Sequence, residues 1–401
     1  MKDLKIFTEN IEQEALDQIN LLLEQEAFKD SKVRIMPDVH SGKGCVIGFT
    51  ADLGDKVVPN LIGVDIGCGM LTINLGNIDI DLEKLDQVIR ENIPSGFNVH
   101  EGRSIKFPQL KLIKCYRELN NARRIEKSIG TLGGGNHFIE VGKDEEESKY
   151  LVIHTGSRNL GKQVAEHYQN LADKLCNYNY DEYLKESNTL IEDYKAQGRK
   201  SEIQKALKEL PNKFKTDYKK IPKDLAYLEG KYRDEYLYDM NICKEFSTAN
   251  RHAIADIILK HMQLTPIESF ETIHNYIDTE DNIVRKGAIS AKKGEILLIP
   301  INMRDGCIIG KGKGNPDWNQ SAPHGAGRLM SRRKAKENIS FDDFKKTMEG
   351  IYSTSVNKDT LDEAPFAYKP MDEIMNNIED TVDIIKIIKP IYNFKAGEKT
   401  D

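Results

Sequence analysis

No cysteine pair with metal-ribbon or redox spacing occurs in this chain. Its six cysteines (Cys45, Cys68, Cys115, Cys176, Cys243 and Cys307) are scattered along 401 residues without a CxxC, which excludes a disulfide framework and points to a reducing compartment. An unbroken apolar run is missing too. The best candidate, Val382 to Phe394, is interrupted by Lys386, Lys389 and Pro390 and falls short of the roughly 18 apolar residues a membrane span needs. The opening MKDLKIFTEN carries acids at once and has no apolar core, so it does not read as a secretory signal. Together these absences predict a cytoplasmic protein without a membrane partner. A basic excess is also absent: 58 basic against 64 acidic residues leave a net charge of −6. That balance does not advertise nucleic-acid binding, although a basic groove can sit on an acidic body. No repeat at a solenoid period is visible.

What the chain does have is glycine in clusters: Gly42 and Gly44, Gly63 to Gly69, Gly133 to Gly135, Gly156 and Gly161, Gly306 to Gly314, Gly325 and Gly327. Short β-rich runs lie among them, such as Cys45 to Thr50, Leu151 to His154 and Glu295 to Ile301. They read as strands that deliver side chains to loops at a shared site. From about His167 to Met262 the character changes to Lys-, Glu- and Tyr-rich sequence with helical apolar spacing at Leu171, Leu175, Ile254, Ile257 and Ile258. The reading is one domain over 1–401 with a helical, lysine-rich insertion at about 170–245. Within it, Lys213 to Lys223 reads first as a solvated face and second as a nucleic-acid contact. An acidic helix over Asp372 to Asp383 and a strand over Ile384 to Phe394 close the chain.

Five of the nine histidines sit in loop-like settings near glycine or asparagine: His40, His137, His154, His274 and His324. So many in such contexts point to a metal or catalytic site, whereas His100, His167, His252 and His261 read as structural. Asp65 and Cys68, three apart amid glycines, converge on one ion if the loop turns between them. Carboxylate, thiolate and imidazole together suit a divalent transition metal. Ligand type alone favours zinc, and spacing does not choose between zinc and manganese. The glycine/lysine stretch Gly310 to Gln320 suits a polyphosphate but lacks the GxxxxGK[ST] pattern. If a helix begins near Gly327, Arg328 and Arg332 form an anion clamp one turn apart.

The motifs MPDVHSGKG, GVDIGCGM, GTLGGGNHFIEV, HTGSRNLG, RKGAISA and SAPHGAGRLMSR, in this order, resemble the RtcB-type RNA ligase family over about Val33 to Lys395. The resemblance implies an α+β fold, with antiparallel sheets around a metal cleft and helices outside. It also implies a GTP- and Mn²⁺-dependent ligase, acting in tRNA splicing or RNA repair, that joins an RNA 3′-phosphate or 2′,3′-cyclic phosphate to a 5′-hydroxyl. His324 would be the nucleophile that carries GMP. Two Mn²⁺ would be held by Asp65, Cys68, His137, His154 and His274 with the cysteine bridging: Asp65, Cys68, His154 and His274 on one ion, Cys68 and His137 on the other. Arg158, Arg328 and Arg332 would neutralise RNA phosphates. Asn136, Glu140, Tyr368 and Lys395 would meet GTP, with Glu140 accepting from guanine N1 and N2, Tyr368 stacking and Lys395 donating to O6. Asp38 and His40 fall near the site, and the Gly310 to Asn319 stretch is expected over the nucleotide. A monomer is expected, and the family leaves room for an activating protein. One departure stands out: Pro300-Ile-Asn-Met-Arg-Asp-Gly306 replaces a PGSMG-like segment beside the nucleotide. It keeps open a metallophosphohydrolase, such as a cyclic phosphodiesterase on RNA ends. A binding module with a structural metal is the non-enzymatic alternative.

Overall fold

The computed structural model describes residues 3–215 and 220–396. The lysine-rich segment Lys213 to Lys223 therefore lies partly outside the described residues. Strands and helices are mixed as expected. β1 (Leu4–Ile6), β2 (Val33–His40), β3 (Ile47–Asp52), β9 (Ile283–Lys286) and β8 (Asn275–Asp278) form a five-stranded sheet in that spatial order. A larger sheet runs β11 (Ile296–Asn302), β12 (Gly306–Gly312), β14 (Val382–Lys395), β5 (Phe138–Lys143), β6 (Lys149–Thr155), β4 (Gly69–Gly76) and β7 (Glu268–Ile273). A short pair, β10 (Ala288–Ser290) with β13 (Ser321–Pro323), links the two. Among the strand pairs of the described residues, β1 and β2 run parallel and the others antiparallel.

The larger sheet curls until its two edges meet, where the Leu298 N–H donates to Thr272 Oγ1 at 3.1 Å. Period-two alternation then sorts its side chains into an outer and an inner face. Leu71, Ile73, Ile139, Val141, Leu151, Ile153, Tyr392 and Phe394 go to the outer core, with helices α2 (Leu82–Asn92) and α7 (Gly230–Met262). Met70, Phe138, Val152, Leu298, Cys307 and Ile388 fill the inside of the curl. By the same alternation His154 follows Val152 inward, and Glu140 follows Phe138. The interior is thus apolar along most of its length and polar where the strands end.

The helical middle resolves into α4 (Arg158–Asn177), α5 (Tyr180–Ala196), α6 (Ile203–Glu209) and α7. α4 and α7 are not peripheral. Leu160, Val164, Tyr168, Ala172, Tyr236, Met240 and Phe246 belong to the largest core, shared with the five-stranded sheet. α5 and α6 are mostly exposed, with Ser187 the buried residue of α5. Among the described residues no helix is long and apolar enough to cross a membrane.

Candidate metal and nucleotide site

The candidate ligands come from the loop before β4 (Asp65, Cys68), the loop before β5 (His137), the end of β6 (His154) and the junction of β7 and β8 (His274), and close backbone approaches hold the segments around Asp65 and His137. Gly156, after β6, sits so near Asp65 that a Cβ there would fall 2.2 Å from Oδ1. A Cβ on Gly133 (φ +88°) would lie 1.7 Å from the Arg158 guanidinium and 2.8 Å from His137 Nδ1. Only glycine fits either position. Beneath the loops runs α7, and two of its buried side chains fasten them. Asn250 Oδ1 accepts from the N–H groups of Gly130 and Thr131, while its Nδ2 donates to the carbonyls of Thr131 and Gly156. Arg251 Nη1 donates to the carbonyls of Gly67 and Thr155 at 2.9 Å each. Neither residue stood out in the sequence.

The loops bring Asp65, Cys68, His137, His154 and His274 together in two groups that share Cys68. The first is Asp65, Cys68 and His137; the second is Cys68, His154 and His274; within each group the ligand atoms all lie within 4.8 Å of one another. Asp65 therefore pairs with His137, not with His154 and His274 as expected, because the Gly156 turn leaves its carboxylate on the His137 side. His137 Nε2 lies 2.9 Å from Asp65 Oδ2 and 3.5 Å from Cys68 Sγ, and His154 Nε2 lies 3.3 Å from the same sulfur. Backbone carbonyls set the tautomers: Nδ1 of His137 meets Leu132 O at 2.9 Å and Nδ1 of His154 meets Asn136 O at 3.2 Å. With Nδ1–H donating there, the His154 Nε2 lone pair faces the sulfur, while His137 Nε2 lies between the sulfur and the Asp65 carboxylate.

Burial pushes His154 and His274 well below the usual imidazole range, with neighbouring imidazoles adding to it. Both are thus neutral and able to ligate. Burial and the Asp65 charge hold the Cys68 thiol well above its ordinary range. Burial also works against ionisation of Asp65, but its hydrogen bond and charge interaction with His137 outweigh that and keep it ionised. His274 Nδ1 is buried without a hydrogen-bond partner. An orphaned imidazole nitrogen beside a thiol that ionises only with cationic help is what a soft-to-borderline divalent cation would satisfy, so the residues present fit metal.

Beside this cluster opens a cleft of about 670 Å³, with His154, His274 and His324 in its wall. The His274 and His324 rings are 4.9 Å apart. His324 Nδ1 sits 2.6 Å from Asp38 Oδ2, which also accepts the His324 N–H at 3.1 Å. Asp38 is wholly buried and His324 is partly exposed. The arrangement puts the proton on Nδ1 and leaves Nε2 with a free lone pair. Gly327 allows it: a Cβ there would meet Asp38 O at 2.2 Å. Asp38, expected only near the site, thus has His324 as its partner. His40 also lines the cleft, with Nδ1 2.9 Å from Asp38 O, and burial lowers its pKa to about 4.

Asn136 lines the cleft beside the metal cluster, and Glu140, Tyr368 and Lys395 line it farther along. Glu140 and Asn393 are direct cross-strand partners on β5 and β14, as are Phe138 and Lys395. Asn393 Nδ2 donates to Glu140 Oε2 at 2.8 Å, and Cys307 Sγ lies 3.5 Å from Oε1. Burial lifts the Glu140 carboxyl to about 7 against the opposing pull of Asn393, Cys307 and Lys395. Lys395 and Tyr368 both donate to Glu363 Oε2, the latter at 2.7 Å. Arg328 and Arg332 also converge on Glu363, and Arg332 reaches Asp362 at 2.6 Å. Despite burial, the charges of Lys395, Arg332 and Arg328 bring the Glu363 pKa down to about 2.

Three expectations change here. Helix α8 (Arg332–Asn338) starts only at Arg332, capped by Ser331, so Arg328 and Arg332 are joined through the Asp362–Glu363 pair and not by a helical turn. Lys395 is engaged by Glu363, a carboxylate that sequence reasoning passed over. Arg158 donates to Gly96 O at 2.7 Å and Thr131 Oγ1 at 3.2 Å, at the Asp65 end of the site. The Gly310 to Asn319 stretch does not lie over the cleft. Its Lys313 holds Glu379 and Asp383, and Trp318 stacks on Phe7 with centroids 3.6 Å apart. Pro300 to Met303 and Gly306 do line the cleft, as a hairpin end in which Asn302 Oδ1 accepts from the N–H groups of Arg304 and Asp305.

A family model described as tRNA-splicing ligase RtcB matches residues 25–121 and 114–396. The RNA-splicing ligase RtcB of Escherichia coli K12 is 29% identical, over 91% of this chain and 90% of its own length. The tRNA-splicing ligase RtcB of Nanoarchaeum equitans is 28% identical over 88% of this chain and 85% of its own. The RNA-splicing ligase RtcB homolog 1 of Entamoeba histolytica is 27% identical over 90% and 80%.

Proposed function

Because the chain belongs to the RtcB family, we propose that it is an RNA ligase of tRNA splicing or RNA repair. It would seal a 3′-phosphate, or a 2′,3′-cyclic phosphate after hydrolysis, to a 5′-hydroxyl with GTP. The observation that carries the reading is the Asp38–His324 pair set 4.9 Å, ring to ring, from a candidate metal ligand. Asp65, Cys68 and His137 would hold one divalent cation and Cys68, His154 and His274 a second. Such ions, Mn²⁺ by the family likeness, supply Lewis acidity to phosphate oxygens.

The chain's own residues supply the rest. His324 Nε2 attacks the α-phosphorus of GTP; the new N–P bond forms as the bond to the β-phosphate oxygen breaks, and pyrophosphate leaves. The ring becomes cationic, and the buried Asp38 carboxylate on Nδ1 stabilises that charge and keeps the ring oriented. An oxygen of the RNA 3′-phosphate then attacks the same phosphorus and breaks the N–P bond, which activates the RNA end with GMP. Finally the 5′-hydroxyl attacks the RNA phosphorus, its proton passes to solvent and GMP departs. Glu140 would meet the base edge, while Lys395, Arg328 and Arg332, gathered around Glu363, would supply charged donors to the phosphates of the nucleotide and the RNA ends.

Incubation with α-labelled GTP and Mn²⁺ tests the proposal. The expected result is label on the protein, acid-labile and alkali-stable, and absent from His324→Ala. No label under any divalent metal refutes it. If His324→Ala instead keeps full turnover of 2′,3′-cyclic phosphate ends without nucleotide, the cluster serves a phosphohydrolase.

A further inference from the structure

One buried acceptor in the wall of the cleft is left without a partner. Asn393 is 1% exposed, and its Nδ2 is committed to Glu140 at 2.8 Å. Its Oδ1 has no hydrogen-bond partner. An orphaned buried carbonyl oxygen is destabilising relative to a satisfied one, and such atoms are uncommon enough to need a reason. Register supplies the context. Asn393 faces Glu140 directly across β14 and β5, and both residues line the cleft. Ile139, Tyr392 and Phe394, which alternate with them along the strands, turn outward into the apolar core.

We propose that Asn393 is a base-selecting residue: its Oδ1 accepts a hydrogen bond from the exocyclic amino group of a 2-aminopurine-type base, next to the acceptor offered by Glu140. The inference rests on the nucleotide reading above and adds to it a residue and a discriminated chemical group. The carboxamide cannot turn over without cost, because its amide nitrogen must stay on the Glu140 carboxylate to avoid setting two acceptors face to face. Asn393 therefore presents an acceptor, not a donor, to whatever base enters. Guanine offers two adjacent donors, N1–H and the 2-amino group. Adenine offers an acceptor at N1 and no 2-amino group, and hypoxanthine keeps N1–H but lacks the amine.

The test is equilibrium binding of GTP, ITP and ATP to the full chain with Mn²⁺, for the wild-type protein and for Asn393→Ala. Wild-type protein should bind GTP roughly tenfold more tightly than ITP, the effect of one buried hydrogen bond. Asn393→Ala should bring that ratio close to one while ITP changes less than GTP. Equal wild-type affinity for GTP and ITP overturns the inference without recourse to any variant, and so does an unchanged ratio in Asn393→Ala. Absence of GTP binding by the wild-type protein is a different failure, that of the nucleotide reading itself.

Discussion

The two ends of the cleft are built by different physics. At the metal end the ligands are buried, two imidazoles are forced neutral, and orientation comes from single backbone carbonyls of nearby loops, Leu132 O for His137 and Asn136 O for His154. At the nucleotide end orientation comes from charge. Glu363 gathers Arg328, Arg332, Lys395 and the Tyr368 hydroxyl around one buried carboxylate. The first arrangement is poised for an ion that must displace a proton from Cys68. The second is already neutralised in part and has cationic groups to turn toward phosphate. The contrast teaches that a cluster of mostly neutral ligands around one carboxylate and an ion-paired cluster can share a wall when a strand such as β6 or β14 delivers each to its own place.

The sharpest way to break this comparison is at the residue both metal groups share. Cys68→Ala should lose bound metal by elemental analysis and lose all detectable guanylylation, since no other side chain bridges the groups. Retention of two metal equivalents would mean that the sulfur is not the junction. A smaller effect is expected at the opposite end. Glu363→Gln leaves four donors around a neutral amide, and GTP affinity should fall on the order of tenfold with metal content unchanged. Loss of metal in that variant would show that the two ends are not separate.

The mildest expected effect concerns pH. Burial raises the Glu140 pKa to about 7, and its ionised form accepts from two adjacent base donors more strongly than the protonated carboxyl, one of whose oxygens becomes a donor. GTP affinity should therefore rise as pH increases from 6 to 8, by a few-fold, and Glu140→Gln should flatten that rise. The sign is opposite to that of a protonated donor, for which affinity would fall with pH. A profile falling over this range would place the acceptor elsewhere.

Legibility in the sequence follows the same division. The candidate metal ligands and His324 could be picked out because all but His274, which has only Asn275 beside it, lie in short motifs with their own glycines, so that the chemical residue and the backbone freedom it needs are contiguous. The short β-rich runs Cys45 to Thr50, Leu151 to His154 and Glu295 to Ile301 likewise fall on β3, β6 and β11. Which ligand joins which group was not readable, since it depends on the Gly156 turn packing against Asp65. Nor could Asn250, Arg251, Asp362 or Glu363 be found. Their partners are remote, 119 positions away for Asn250 and Thr131, and nothing local in an acidic pair or a helical Asn-Arg marks them as holding loops or cations. Asn393 escaped notice because the register of β14 against β5 had to be known first.

Helix α7 carries one more consequence. Asn250 and Arg251 hold the metal-bearing loops from the C-terminal half of a helix that begins at Gly230, about 30 Å away at the usual rise per residue. The exposed segment through α5 and α6 joins the molecule at that far end. A reporter or affinity module grafted between Ala196 and Ile203 would consequently ride on the protein without tugging at the ligands, whereas a single proline in α7 near Asn250 would slacken three loops at once.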